Sequence, residues 1–194
     1  MTNDIFLSPH FKLSEFVVSE TASRHGIDNT PPEEAVENLR RLCQGTLEPL
    51  REALQLPVVI TSGFRTKALN DRLAHSSERS QHMQGCAADF YVSCAAEPRF
   101  KVQGSLTKVR ATQGSMTKVQ GSKVQGRREV LIKAFRLIIT SHEIDYDQLI
   151  LYPNFIHVSY VSKERNRHNI LKARSNGKLG YGKLSYANAI LLNY

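Results

Sequence analysis

No stretch of the 194-residue chain is apolar for the roughly 20 residues needed to span a bilayer. The opening segment, Met1 to His10, has no basic start followed by an apolar run. The chain therefore reads as soluble, made in the cytosol and without a membrane partner. Cysteine is scarce too: Cys43, Cys86 and Cys94 make an odd count without CxxC spacing, which argues against a disulfide framework or a cysteine zinc knuckle. Cys86 has Gly85, Ala87 and Ala88 as neighbours and reads as a packing residue. Acidic residues are missing from 99 to 128, where Arg99, Lys101, Lys108, Arg110, Lys118, Lys123, Arg127 and Arg128 stand. These eight account for the whole formal charge of +8, because the other 18 basic residues are matched by 18 acidic ones. A charge of this size ordinarily points to nucleic acid. Here it belongs to one segment in which Phe100 is the sole aromatic, so nucleic acid is not the expected partner.

What is present is enough apolar content, 41%, for the core of one domain. The basic segment is repetitive, with Gln-Gly-Ser three times and Thr-Lys-Val twice. It shows no period able to bury a face, and residues 99–127 read as an inserted flexible loop within a domain spanning 1–162. Residues 163–194 read as a basic C-terminal tail. Thr30-Pro31-Pro32-Glu33 has the form of a capping box. Val36, Leu39, Leu42, Cys43, Leu47, Leu50 and Leu54 follow at spacings of three and four, an amphipathic helix with a kink expected at Pro49. Strands are expected over 57–61, 87–92, 148–151 and 155–161, and helices over 66–74 and 128–141. Strands gathered with helices on one side make an α+β fold with a small antiparallel or mixed sheet.

The chemistry sits in Ser80-Gln-His82-Met-Gln-Gly-Cys-Ala-Ala-Asp89 and Phe155-Ile-His157-Val-Ser159. Two imidazoles and a carboxylate suit a zinc ion that keeps a coordination position open for water. Strand alternation places Phe155, His157 and Ser159 on one face. Spacing alone is a moderate signal, since seven histidines allow chance pairings. The ordered set is more specific: Ser62-Gly63-Phe64-Arg65 after a strand, Leu69-Asn70, SxHxxGxAxD, then Phe-Ile-His-Val-Ser. It resembles the zinc D-Ala-D-Ala carboxypeptidases and L-alanyl-D-glutamate endopeptidases, which share the hedgehog/DD-peptidase fold. Phe11 to Phe16 and Gly26-Ile27-Asp28-Asn29 resemble their phage and prophage members.

The resemblance implies one zinc per chain on His82, Asp89 and His157, with a peptidoglycan stem peptide as partner. It makes Arg65 the residue that holds a substrate carboxylate or carbonyl and Ser80 a hydrogen-bonding partner of the substrate. A protein of this kind without a signal peptide reaches the wall by lysis or a partner pore. In the family the general base is a Glu or Asp three residues before the last histidine; here that position is Asn154. An amide can position water but has no useful proton affinity near neutral pH. Three accounts stand open: another carboxylate (Glu143, Asp145 or Asp147) serves, Tyr152 assists, or the domain binds zinc and cell-wall peptide without efficient turnover.

Overall fold

Short, locally patterned segments build the frame that carries the site. The computed structural model describes residues 4–74, 76–93, 117–173 and 181–192. The chain opens with a ribbon, β1 (Phe6–Ser8) and β2 (Phe11–Lys12), and the short helices α1 (Leu13–Val17) and α2 (Glu20–His25). Helices α3 (Glu33–Leu42) and α4 (Glu48–Leu54) follow, joined through a π-helical turn at Cys43–Leu47. Next come β3 (Val58–Ser62), α5 (Lys67–Arg72), a 3-10 turn at Gln81–Gln84 and β4 (Ala87–Val92). Then follow α6 (Thr117–Thr140), β5 (Gln148–Leu151), β6 (Ile156–Ser159), β7 (Asn169–Ala173), β8 (Tyr181–Lys183) and α7 (Tyr186–Ile190).

The fold is α+β, as expected, with a six-stranded sheet in the order β3-β4-β6-β5-β7-β8. All pairings are antiparallel except β5 with β7, so the sheet is mixed. Phe90, Val92, Leu149, Leu151, Ile156 and Val158 join one core with Leu39, Leu42, Leu47 and Leu50 and with Leu131, Ala134, Phe135 and Ile138 of α6. Each of these side chains larger than alanine contributes about 1.5–3 kcal/mol on burial. Alternation along β4 and β6 turns Asp89 and His157 away from that core.

Four local expectations need correction. Thr30 does not cap α3: its N–H and hydroxyl both bond Asp28 Oδ1, at 2.9 and 2.6 Å, and Pro32 takes the N-cap position without a side-chain bond. The kink expected at Pro49 is a π turn before it. Proline has no N–H for the Gly45 carbonyl four residues back, and that carbonyl accepts the Asp145 N–H instead, at 3.0 Å. The loop expected to run to 127 is helical from Thr117. That stretch contains no proline, and Gly121 and Gly126 each weaken a helix by about 1 kcal/mol without ending it; the rest of the basic segment, 99–116, lies outside the described residues. Finally, the segment read as a tail contributes β7, β8 and α7, with Leu149 opposite Ile170 in the parallel pair. Ile170 is buried and α7 packs on α6. No helix among the described residues is long and apolar enough to cross a membrane.

Candidate metal centre

Asp89 and His157 face each other as direct cross-strand partners of β4 and β6, which fixes the distance between their Cβ atoms at about 5 Å. His82 arrives from a different element, the Gln81–Gln84 turn. That turn ends at Gly85, whose φ of +71° favours glycine and whose would-be Cβ lies 2.3 Å from the Ala35 carbonyl oxygen. No other residue lets the turn lie this close to α3. The Cys86 N–H donates to the Gln81 carbonyl at 3.0 Å and leads the chain into β4.

The three sequence-nominated donors converge. His157 Nδ1 lies 2.8 Å from Asp89 Oδ1, His82 Nε2 lies 3.2 Å from His157 Nδ1, and His82 Nε2 lies 3.5 Å from Asp89 Oδ1. Zinc bonds of about 2.0–2.2 Å in tetrahedral geometry separate neighbouring donor atoms by about 3.3 Å, so this triangle fits such an ion. His82 Nδ1 lies 2.7 Å from the Gly63 carbonyl, which can only accept; the proton is therefore on Nδ1 and the Nε2 lone pair faces the cluster. Burial lowers the His82 pKa, against the opposing pull of Asp89. Burial pushes Asp89 up, but its bonds to His157 and His82 outweigh this and hold it well below the usual carboxylate range. Neutral imidazole and ionised carboxylate are the forms that ligate.

The cluster opens into a cleft of about 580 Å³, also lined by Arg65, Ser80, Gln81, Asp147, Tyr152 and Phe155, a size that suits a small ligand. The structure thus brings Arg65, Ser80, His82, Asp89 and His157 to one cavity. It does not bring Asn154, which is exposed on the β5–β6 turn and is not among the cleft-lining residues. The Arg65 N–H donates to the His82 carbonyl at 3.2 Å, and its buried Nε has no hydrogen-bond partner among the described residues. Burial lowers the Arg65 pKa, opposed by Asp89 and then Tyr152.

Two residues named from the sequence have supporting roles that its reading missed. Asn29 holds the Arg65 loop from both sides: its Nδ2 donates to the Phe64 carbonyl at 3.1 Å and the Val17 carbonyl at 2.9 Å, while its Oδ1 accepts the Thr66 N–H at 2.9 Å. The signal available was its place in Gly26-Ile27-Asp28-Asn29. Asp147, considered as a base, is a buried hub. It accepts from Gln81 Nε2 at 2.8 Å, from the Arg167 N–H at 2.9 Å, from Arg167 Nε and a terminal guanidinium nitrogen at 2.8 and 2.5 Å, and from the Ser159 hydroxyl at 3.4 Å. Burial raises its pKa, but these donors, Arg167 first, leave it lowered. Asp145 is engaged by Asn166 and His168, and neither it nor the exposed Glu143 is among the cleft-lining residues.

No curated protein matches the chain. A family model described as Peptidase M15 matches residues 9–122, more than half of it. The matched stretch carries Arg65, Ser80, His82 and Asp89, and β6 supplies His157 from beyond it; the chain belongs to the Peptidase M15 family.

Proposed function

We propose that the chain is a zinc-dependent peptidase of bacterial cell-wall peptides, of D-Ala-D-Ala carboxypeptidase or endopeptidase type, with one zinc per chain and a peptidoglycan stem peptide as substrate. The observation that carries this reading is the convergence of His82, Asp89 and His157, with donor separations of 2.8–3.5 Å, in a cleft shared with Arg65. Bound by these donors, zinc supplies a Lewis acid that lowers the pKa of water to about 7 and polarises a carbonyl. Arg65 offers a planar fork of donors to a peptide carboxylate or carbonyl. Ser80 offers a hydroxyl on the same wall. The phage-type motifs at Phe11–Phe16 favour a role in lysis, with release to the wall by lysis or a partner pore.

The proton of the attacking water needs an acceptor. Of the carboxylates lining the cleft, Asp89 is bonded to both imidazoles and Asp147 is taken by Gln81 and Arg167. Tyr152 is the further titratable side chain, apart from the arginines and histidines, that lines it. This favours a second reading, a zinc-binding peptidoglycan-recognition module with little turnover. One experiment addresses both: zinc content beside a digest of purified peptidoglycan, with products identified by mass. One equivalent of zinc with chelator-sensitive cleavage supports the peptidase; one equivalent without cleavage supports the module; cleavage that survives complete metal removal defeats both. Tyr152→Phe is expected to cut a peptidase's kcat by about 100-fold or more if the phenol handles the proton, and to leave it near the parent value if it does not.

A further inference from the structure

The turn between β6 and β7 is anchored by a set of backbone and side-chain bonds. The Ser162 carbonyl accepts the N–H groups of Arg165 and Asn166 at 3.1 and 3.0 Å. Asn166 is bonded at both ends of its amide, to the Val161 N–H and to Asp145 Oδ2, each at 2.9 Å. Arg167 makes a two-pronged pair with Asp147, and His168 Nε2 lies 2.8 Å from Asp145 Oδ1. His168 has a φ of +51°, a conformation uncommon for a non-glycine residue and kept only where the surroundings over-determine it. Both aspartates near the turn are thus used by residues 166–168. Arg165, whose N–H is held by the Ser162 carbonyl, makes no ion pair among the described residues, and it lines the cleft of the metal centre.

A second loop does the same with Arg79. The Ser77 carbonyl accepts the Ser80 N–H at 3.1 Å and Asn70 Nδ2 at 3.0 Å, and the Ser77 hydroxyl oxygen accepts the Arg79 N–H at 3.1 Å. Arg79 lines the cleft and likewise makes no ion pair among the described residues. The cleft's own carboxylates, Asp89 and Asp147, already have partners, so Arg79 and Arg165 face it beside Arg65 with no ion-pair partner among the described residues. An exposed arginine in water is unremarkable; three in one cleft concentrate anions there. A fork of guanidinium donors on an anchored turn matches a carboxylate.

We infer that the cleft holds a second carboxylate subsite, made by Arg165 and Arg79 and separate from Arg65, so that its preferred ligand is a peptide carrying two carboxylates. This inference rests on the peptidase reading for the ligand being a peptide. The test uses a synthetic stem-type peptide with its side-chain carboxylates free and the same peptide with each converted in turn to a carboxamide. kcat/KM is measured on the zinc-loaded protein, and Kd by calorimetry on chelator-treated protein, where turnover does not interfere. The wild type is expected to favour the free carboxylate at one position by about 10- to 100-fold. Arg79→Gln/Arg165→Gln should reduce that preference to about threefold or less, while Lys133→Gln, which removes the same charge from an exposed site on α6, should keep it. Equal Kd for all peptides on the wild type, or a preference that survives the double variant, overturns the subsite. If no peptide is cleaved but the Kd preference is present and vanishes in the double variant, the subsite stands and the peptidase reading falls.

Discussion

Gly63→Ala tests whether the backbone around the Arg65 turn positions His82. A methyl at Gly63 would lie 2.5 Å from the Phe16 carbonyl oxygen and 2.6 Å from Phe16 Cα and Cβ, where ordinary contact begins near 3.4 Å. Phe16 is fully buried in the core and cannot withdraw. Relief must come from Gly63 moving away by about 1 Å, which breaks the 2.8 Å bond from the Phe64 N–H to the Phe16 carbonyl. The same shift displaces the Gly63 carbonyl, which accepts from His82 Nδ1 at 2.7 Å, and a displacement of this size weakens or breaks that bond. Overpacking and the lost backbone bond together should cost about 2–4 kcal/mol, read by urea unfolding of metal-free protein. Loss of the carbonyl that orients His82 should weaken zinc binding by about 10- to 100-fold, read by competition with a chromophoric chelator. Gly126→Ala in α6, where none of the described residues lies within 4 Å of the new methyl, is the control and should gain about 0.5–1 kcal/mol. A Gly63→Ala protein that is destabilised yet binds zinc with wild-type affinity would refute the orienting role of this carbonyl; unchanged stability would refute the close approach itself.

His82→Ala and His157→Ala should each reduce zinc from near one equivalent to near none by elemental analysis of dialysed protein; retention of a full equivalent in either would remove that residue from the ligand set. Asp147 has a folded-state pKa below its ordinary value, so its contribution to stability is complete above the unfolded value of about 3.9 and is lost as pH falls through the folded value. Asp147→Asn should therefore cost about 1–3 kcal/mol at pH 7, less than a fully buried pair because the Arg167 side chain is 55% exposed. The gap to wild type should narrow below about pH 4, and a gap that stays constant from pH 7 to pH 3 counts against the ion pair as its source. Asn154→Glu tests the position outside the cleft: because Asn154 is exposed and not among the cleft-lining residues, peptide cleavage should stay within about threefold of the parent, and a gain of about 100-fold or more, the size of a general base's contribution, would show that this turn reaches the metal centre.

Much of the site was legible because its parts are local. β4 and β5 match the expected segments residue for residue, since four to six alternating or continuous apolar residues bounded by polar turns specify a strand without help from elsewhere. Alternation then placed His157 opposite Ile156 and Val158, which the core confirms. What could not be read depends on partners distant in the chain. The Asp147 hub joins residues 66 and 20 positions away, Gln81 and Arg167, and no spacing rule connects them. Ile170 and Leu171 are a single apolar pair between the polar stretch 162–169 and the largely polar 172–178, too short a run to announce a strand, which the parallel pairing beside β5 completes. Thr30 failed as a cap because Asp28, two residues earlier, offered its hydroxyl and N–H a nearer acceptor.

The three ligands do not stand on equal supports. Asp89 and His157 are locked by four consecutive register pairs between β4 and β6, with core side chains on either side of each. Moving either relative to the other requires the whole pairing to slip, which would turn both to the opposite face. His82 stands on one 3-10 turn, held by the Gly63 carbonyl, by the Gly85 turn against Ala35 and by the bond from Gln81 to Asp147. Of these three supports, the one through Asp147 also reaches the end of the β4–β6 ladder, because the Asp147 N–H donates to the Ser159 carbonyl at 2.7 Å and its carboxylate takes the Ser159 hydroxyl at 3.4 Å. Substitutions that spare the ligands should therefore lower zinc affinity most when they fall on the His82 side, at Gly63, Gly85, Gln81 or Asp147, while conservative changes on the sheet should act mainly on stability. Gln81→Ala, which removes an amide beside the ligand and leaves the sheet intact, should weaken zinc binding by up to about 10-fold with a stability loss of no more than about 1–2 kcal/mol. The reverse pattern, wild-type zinc affinity with a large loss of stability, would show that the turn is held by the sheet after all.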